Sequence, residues 1–472
     1  MKTTSFCLNR TAAMTRRDAL RSLSAGFGYL AFQSLAAAAT SPLASKQPHF
    51  APKAKRVIFL CMRGGPSHLD TFDYKPRLIA DAGKSSRYAG SQLMPSLWEF
   101  KQRGQSGLWI SEAFPNVAKH ADDLCLLRGM TCDQPSHAQA FVQMHTGVSQ
   151  FVRPSLGAWA LYGLGTENQN LPGYITINPP SANGGAQNYG SAFLPAAYQG
   201  TKFQISDSSQ RSRAIDIKRR GEVNNDGLNH LRNEHLTTQK QRGQIDFINA
   251  LNREKLARDT HAPLIEGAIE SYELAFRMQD AVPGVMDLTG ESPQTLALYG
   301  INEDPTDGFG RQCLLARRFV EAGVRFIELG HGSWDQHANI QTALGQNCAQ
   351  TDKPIAGLLA DLKQRDLLKD TLVIWGGEFG RTSYSPDGNG RDHNHKGYTI
   401  WMAGGGVKGG FSHGETDEHG YEAVTGKVHI HDWHATVLHL LGFDHEKLTY
   451  RFGGRNMRLT DLYGNVVREI VA

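Results

Sequence analysis

The sequence predicts an α/β protein, a three-layer α/β/α sandwich with a mostly parallel central sheet and a helical insertion. The first observation is a set of short apolar runs rich in β-forming residues, at 56–62, 123–130, 173–178, 324–329, 371–375 and 397–404. The second is that helical patterns alternate with the later runs, at 310–322, 353–367 and 432–441. Such alternation is typical of a parallel sheet that helices cover on both faces.

The third observation concerns residues 205–285, which are rich in charged and amide side chains and contain no convincing strand. The later part of this stretch carries apolar residues at helical intervals, as in QIDFINALNREKLARD and PLIEGAIESYELAFRMQDA. This pattern predicts a helical insertion at about 205–300, within a single domain that covers residues 45–472.

The N-terminus resembles an export signal. The stretch MTRRDALRSLSAGFGYLAFQSLAAAATSP has a twin arginine at Arg16 and Arg17, then a mildly apolar segment and an alanine-rich end. This order is typical of a Tat signal peptide that comprises residues 1–39; the alternative is a short amphipathic helix of the folded domain. We therefore expect the Tat export machinery as a partner, and a protein that is periplasmic or secreted.

The formal net charge of +4 is contained in the predicted signal, which has five basic residues and one acidic residue. The rest of the chain is near neutral, so the composition argues against a nucleic-acid partner. No later apolar run approaches the roughly 20 residues that a membrane span requires. Among the remaining cysteines, Cys61 and Cys125 lie in apolar runs typical of buried thiols, and the candidates for pairing are Cys132, Cys313 and Cys348.

Histidines and carboxylates follow the ends of several predicted strands, and 11 of the 19 histidines lie between positions 331 and 445. The carboxyl ends of parallel strands meet at one edge of a sheet. We therefore expect a metal site whose ligands are Asp335, His337, Glu378, His393 and His395. Imidazole and carboxylate ligands suit a divalent ion, zinc first, with manganese or calcium as alternatives.

The segment HIHDWHATVLHLLG contains four further histidines, for which the pattern favours a structural role. Asp432 is predicted to be the N-cap of a helix that ends at Gly442.

The stretch PSHAQAFVQMHTG resembles a segment of alkaline phosphatase superfamily enzymes, in which a nucleophile opens a helix that closes with Thr-Gly. Alignment on Thr146 and Gly147 places His137 at the nucleophile position, with Ser136 beside it as the alternative. A helix N-terminus presents free amides and a partial positive charge to an anionic ester.

Other segments are similar to the same superfamily: TLVIWGGEFG, HNHKGYTIWMAGGGVKGG and VHIHDWHATVLHLLGFD. From about residue 55 to the C-terminus, the chain resembles more closely an uncharacterised family of Tat-exported bacterial proteins. The segments that carry this likeness are GGPSHLDTFDYKP, GVRFIELGHGSWDQH, GGEFGRT, GRDHNHKGY and LTYRFGGR.

The superfamily resemblance implies an alkaline-phosphatase-like fold and metal-assisted hydrolysis of a phosphate or sulfate ester, carried by a small molecule or a polysaccharide. It also implies that Arg381 binds two oxygens of the anion at once. Asp70 and His68 are further metal-ligand candidates under this resemblance.

The sequence departs from the superfamily pattern at several ligand positions. Arg63 stands where a metal-binding aspartate is expected after the first strand, and Glu378-Phe379 replaces an Asp-His pair. No Cys-x-Pro/Ser/Ala-x-Arg motif follows Cys61 or Cys132, which argues against a formylglycine sulfatase. Two other functions stay open: a catalytically inactive exported binding or scaffold protein with the same fold, and carbohydrate binding by Trp334, Trp375, Trp401 and Trp433.

Overall fold

The computed structural model describes residues 41–88, 90–205, 235–258, 263–385 and 388–472. The predicted export signal therefore lies outside the described residues. Within the described ranges, no helix is both long enough and apolar enough to cross a membrane.

The centre of the fold is a nine-stranded sheet, counted over the described residues. Its strands are β1 (Arg56–Met62), β2 (Leu124–Thr131), β3 (Tyr174–Ile177), β4 (Thr201–Phe203), β5 (Phe326–His331), β6 (Thr371–Gly376), β7 (Tyr398–Ala403), β8 (Phe411–His413) and β9 (Val428–His429). The order across the sheet is β8-β2-β7-β6-β1-β5-β3-β4, and β9 also pairs with β2. Strand β7 is antiparallel to both of its neighbours, while every other pairing in the sheet is parallel.

The middle of the sheet explains the continuous apolar runs. Strand β1 lies between β5 and β6, and its residues Val57–Met62 are at most 1% exposed. A strand with neighbours on both sides and helices on both faces has no solvent side, so its side chains do not alternate in polarity. The predicted strands therefore appear within two residues of their expected positions.

Helices flank this sheet: α1 (Pro76–Ala80), α2 (His137–Thr146), α3 (Leu156–Leu164), α4 (Thr238–Arg258), α5 (Pro263–Met286), α6 (Pro293–Leu298), α7 (Asp307–Glu321), α8 (Ile340–Gln364) and α9 (Ile430–Leu440). The ring of Phe59 in β1 packs against His145 of α2 and Trp433 of α9. On the opposite face, Trp375 of β6 packs against Phe72 and Phe114. The predicted α/β/α architecture with a mostly parallel sheet is thus confirmed.

Helix α8 begins thirteen residues before the predicted start at 353. Its first half, IQTALGQNCAQTD, has few apolar residues, and Pro354 has the appearance of a first-turn proline. In the structure Pro354 lies inside the helix and is buried. The prediction therefore covered only the second half of the helix, where apolar residues recur at helical intervals.

The start of α9 also differs from the prediction. Its N-cap is His429, whose ring accepts a hydrogen bond from a helix amide, while Asp432 at the third helical position accepts one from the amide of His429. The prediction that Asp432 is the N-cap is therefore wrong, although its carboxylate still caps the helix within a reciprocal capping box.

Helices α4, α5 and α6 occupy the described part of the predicted insertion. Residues 206–234 lie outside the described residues, and the domain boundaries stay predictions. The five cysteines within the described ranges are free and buried, so none of the candidates for pairing, Cys132, Cys313 and Cys348, forms a disulfide. They lie at separate places in the core, where each acts as a small apolar side chain.

Candidate metal centre

The candidate site lies at the carboxyl ends of the parallel strands. The segment after β5 carries Asp335 and His337, the segment after β6 carries Glu378 and Arg381, and the segment after β2 leads to His137 at the start of α2. These strands run in the same direction across the sheet, so the segments that follow them meet at one edge.

A close backbone approach holds these segments together at Gly64, directly after β1. Gly64 has a φ of +115°, and an added Cβ there would lie 2.7 Å from the amide nitrogen of Asp335. The amide of Gly64 donates to both carboxylate oxygens of Glu378, at 3.1 and 3.2 Å. Only glycine permits this backbone conformation and this contact together.

His393 reaches the same edge through a short antiparallel pairing of Gly380–Arg381 with His393–Asn394. In this pairing Arg381 lies opposite His393. The loop between the two short strands therefore returns the chain to the end of β6, beside the segment that carries Asp335.

Four side chains converge at this place: His137, Asp335, His337 and His393, each with one ligand atom, and these atoms all lie within 4.8 Å of one another. Asp335 Oδ1 is 3.0 Å from Nε2 of His337 and 3.3 Å from Nε2 of His393. Asp335 Oδ2 is 3.2 Å from Nε2 of His137. The Nε2 atoms of His337 and His393 are themselves only 3.0 Å apart.

The outer nitrogen of each histidine faces an oxygen acceptor. His137 Nδ1 is 2.7 Å from Glu378 Oε1, His393 Nδ1 is 2.7 Å from the carbonyl of Pro135, and His337 Nδ1 is 3.1 Å from Asp392 Oδ1. These acceptors place the hydrogen on Nδ1, so the three Nε2 lone pairs point at one another. Three converging lone pairs and a carboxylate repel one another unless a proton or a cation lies between them.

Charge within the cluster is strongly coupled. Burial lowers the pKa of His137, but its contacts with Asp335 and Glu378 outweigh this effect and raise the pKa to about 9. Burial raises the pKa of Asp335, yet His137, His393 and Arg381 together hold it well below its usual range. The Nε2 atom of His137 is buried and has no hydrogen-bond partner among the described residues, although Asp335 Oδ2 is 3.2 Å away. A divalent cation fits this donor set of three imidazole nitrogens and a carboxylate.

Glu378, expected to be a ligand, lies behind the cluster. It is fully buried, and its contacts are His137 Nδ1 and the amide of Gly64. It therefore orients a ligand and does not face the common point. Asp392 and the carbonyl of Pro135 act in the same way, and the sequence reasoning missed both, although Asp392 directly precedes His393.

Arg381, expected to bind the substrate anion, has its donors occupied inside the protein. Its guanidinium is fully buried and donates to Asp335 Oδ1 at 2.6 Å. Its other hydrogen bonds go to the backbone carbonyls of Gly64, Gly65, Trp334 and Arg391. Nη1 also lies 3.5 Å from Nε2 of His337. This placement contradicts the clamp role, because no donor is left for two substrate oxygens. Arg381 instead fixes the carboxylate of Asp335.

The other two ligand candidates suggested by the resemblance lie apart from the cluster and have structural partners. Asp70 is fully buried and forms an ion pair with Arg391, at 2.8 Å between Oδ2 and Nε. His68 is also buried, and its Nε2 donates to the carbonyl of Gly420 at 2.8 Å. Neither side chain belongs to the convergent group.

His395 is two residues after His393 but does not join the group. The strand that carries His393 ends at Asn394, and the backbone of His395 instead accepts a hydrogen bond from the amide of Cys132. Burial lowers the pKa of His395, and the charge of Lys396 acts in the same direction.

Ser136 is the N-cap of α2, and its side chain makes no capping hydrogen bond. The side chain is exposed and lies directly beside His137. Its hydroxyl is therefore accessible at the edge of the cluster.

The four tryptophans near the site are all buried, with exposures of 1% or less. They pack in the core, as in the stacked pair Trp375 and Trp401. This burial rules out the alternative in which these tryptophans bind carbohydrate, because a sugar ring cannot reach an indole that has no solvent-exposed face.

A second group of ligand-type side chains lies deeper, beneath the site. It consists of Cys61, His145 and Glu328, all buried. His145 Nδ1 donates to the carbonyl of Phe141, and its Nε2 is 3.2 Å from Glu328 Oε1. Burial lowers the pKa of His145, but the charge of Glu328 outweighs it and raises the pKa overall. This arrangement is that of a buried histidine-carboxylate ion pair.

Three solved structures have a partly similar chain course. The lipoteichoic acid synthase LtaP from Listeria monocytogenes is 9% identical, with a TM-score of 0.39, over 90% of this chain and 80% of that chain. The PsFucS1 sulfatase from Pseudoalteromonas sp. is 12% identical, with a TM-score of 0.32, over 84% and 68%. The alkaline phosphatase from the Antarctic bacterium TAB5 is 14% identical, with a TM-score of 0.29, over 76% and 93%. Likeness at this level gives no information on the reaction.

No curated protein matches the chain significantly. The family model described as "Protein of unknown function (DUF1501)" matches residues 54–471. This match extends over the whole sheet and over every residue of the candidate metal centre. The chain belongs to the DUF1501 family.

Proposed function

We propose that this protein is an exported, metal-dependent hydrolase of phosphate or sulfate esters. The observation that carries the proposal is the convergence of three imidazole Nε2 atoms and the Asp335 carboxylate, with each Nδ1 held by an oxygen from behind. A structural ion pair needs no such arrangement, because one proton between two groups would satisfy it. The substrate is an ester of a small molecule or of a polysaccharide. The protein meets this substrate after the Tat route has exported it to the periplasm or out of the cell.

Zinc fits this ligand set best. Three nitrogens and one carboxylate oxygen match the ligands of tetrahedral zinc sites, whereas calcium takes six to eight oxygens. Manganese is the alternative, since it also accepts mixed nitrogen and oxygen ligands. A bound divalent cation would polarise the ester oxygen and stabilise negative charge on the transferred group.

The chain itself would supply orientation and a nucleophile. Glu378 holds the ring of His137, and Arg381 holds the carboxylate of Asp335. Neither ring nitrogen of His137 is then free to attack, because Nδ1 contacts Glu378 and Nε2 faces the proposed ion. Between the two nucleophile candidates this favours the hydroxyl of Ser136, which would attack phosphorus or sulfur while the bond to the alcohol oxygen breaks and the hydroxyl proton leaves with the alcohol. Water would then cleave the ester formed on Ser136, which releases phosphate or sulfate and restores the hydroxyl.

Elemental analysis of the mature protein, matured through the native export route, tests the metal. We expect about one equivalent of a divalent ion, and less than about 0.2 equivalents would favour the inactive binding or scaffold protein. A panel of aryl phosphate and aryl sulfate esters then tests catalysis, with Asp335→Ala as the reference variant. Equal hydrolysis by the wild type and by Asp335→Ala would show that the reaction does not use this site.

Replacing Ser136 by alanine separates catalysis from metal binding. If its hydroxyl attacks the ester, kcat falls by about 100-fold. The metal content stays at the wild-type level, because Ser136 contributes no atom to the cluster. Unchanged kcat in Ser136→Ala would assign the attack to another group.

Replacing Glu378 by glutamine tests whether the Glu378 carboxylate orients the ring of His137 for metal binding. The substitution keeps the size of the side chain but removes the charge that holds the Nδ1 hydrogen. We expect metal affinity to fall by about 10- to 100-fold, as is usual when a carboxylate behind a ligating histidine is lost. Competition with a chelator of known affinity measures this change, and an affinity equal to that of the wild type would contradict the role given to Glu378.

A further inference from the structure

We infer that Arg63 is the group that binds the anionic oxygens of the ester, in the role that Arg381 cannot fill. This inference rests on the proposed function and names a specificity residue of the same site. Arg63 is the residue directly after β1, where the strand in the middle of the sheet reaches the candidate metal centre.

The backbone at Arg63 is fixed from both sides. Its amide donates to the carbonyl of His331 at 2.8 Å, and its carbonyl accepts from the amide of Trp334 at 3.1 Å. The next residue, Gly64, contacts the amide of Asp335 and binds Glu378. The side chain of Arg63 therefore starts one residue from the contacts that build the cluster.

The guanidinium of Arg63 lies against the segment that leads to Asp335. An added Cβ at Gly332 would lie 3.2 Å from Nη2 of Arg63. Burial lowers the pKa of the adjacent His331 to about 4, and the positive charge of Arg63 acts in the same direction. The charge is thus close to His331 at the end of β5, four residues before Asp335.

Unlike Arg381 and Arg391, Arg63 has no partner for its side chain among the described residues. Arg381 and Arg391 are fully buried and saturated with carbonyls and carboxylates. Within the part of the chain that the structure describes, no hydrogen bond or ion pair engages the guanidinium of Arg63, and its buried Nε has no acceptor. A partly buried guanidinium without an acceptor is costly unless a ligand supplies one.

The ligand that suits this group is a tetrahedral oxyanion. A planar guanidinium donates two parallel hydrogen bonds to two oxygens of a phosphoryl or sulfuryl group. A cation at the cluster would bind the same group from one side, and Arg63 would hold the oxygens that face away from it.

The test measures binding of inorganic phosphate and of inorganic sulfate by titration calorimetry, with metal content determined on the same samples. Arg63→Met is expected to weaken binding of the preferred oxyanion by about 10- to 100-fold, the usual effect of losing a charge-assisted hydrogen bond, while the metal content is unchanged. Arg63→Lys is expected to recover part of the loss, because a point charge replaces the two-pronged donor. Arg253→Met, an exposed position on α4, is the matched control and is expected to bind as the wild type does.

Two results would overturn the inference: wild-type affinity in Arg63→Met, or no binding of either oxyanion by the wild type at millimolar concentration. A protein that holds no metal but binds phosphate through Arg63 would refute the hydrolase proposal and leave this inference standing. The relative affinity for phosphate and sulfate shows which ester class the site prefers.

Discussion

Replacing Asp70 by alanine is expected to lower the free energy of unfolding by about 3–5 kcal/mol. Asp70 and Arg391 are both fully buried, and the carboxylate accepts from Nε at 2.8 Å and from Nη2 at 3.3 Å. Removing the carboxylate leaves the guanidinium in the core with no negative partner. Its remaining acceptors, the carbonyls of Met94, Pro95 and Thr382, do not neutralise its charge.

Urea denaturation followed by tryptophan fluorescence measures this change, because the tryptophans near the sheet are buried. The matched control is Glu254→Ala, which removes the exposed ion pair of Glu254 with Arg258 and is expected to cost at most about 0.5 kcal/mol. The double variant Asp70→Leu/Arg391→Met is expected to recover much of the loss, since no unpaired charge stays in the core. A loss below about 1 kcal/mol in Asp70→Ala would show that Arg391 finds another counter-charge or water.

The sheet was largely predictable from the sequence because its central strands are buried on both faces. The strand RVIFLCM leaves no ambiguity, since every side chain after Arg56 is buried. The edge strands β4, β8 and β9 were missed because each has only two or three residues, too few to show a pattern. Their pairing depends on tertiary contacts and not on local preference.

The sequence predicted those residues of the site that come directly after the ends of strands. Asp335, His337 and His393 converge as expected because parallel strands bring their carboxyl ends together. His395 was also expected in the ligand set, since it follows His393 by only two residues. The short strand that carries His393 ends at Asn394, and His395 does not join the cluster.

The roles of charged residues were harder to predict than their positions. Arg381 has the residue type of an anion clamp, but only the fold reveals that backbone carbonyls already surround its guanidinium. Glu378 has the residue type of a ligand, but the close approach at Gly64 turns its carboxylate toward an amide and toward Nδ1 of His137. Sequence gives the chemistry of a side chain, and the tertiary contacts decide which partner it meets.

Replacing His393 by alanine is expected to abolish metal retention and to lower ester hydrolysis by about 1,000-fold or more. The substitution removes one of the three imidazole nitrogens that face the proposed ion. It also removes the hydrogen bond between His393 Nδ1 and the carbonyl of Pro135. A cation that stabilises charge on a transferred group contributes several kcal/mol at the transition state, and about 4 kcal/mol corresponds to about 1,000-fold in rate. Elemental analysis is expected to give less than about 0.2 equivalents of metal, and the assay with aryl esters is expected to show loss of turnover.

His395→Ala is the matched control, because it removes the same side chain two residues away in the same segment. His395 contributes no atom to the cluster, so the variant is expected to keep its metal and its turnover. The contrast between the two variants separates a specific ligand from a general effect of losing a histidine in the loop. Equal metal loss in both variants would place the ion elsewhere, and full retention in His393→Ala would remove this nitrogen from the ligand set. We expect His393→Ala to be inactive and His395→Ala to be active. This difference requires that only the imidazole of His393 faces the proposed ion, because the strand ends at Asn394 and His395 lies beyond it.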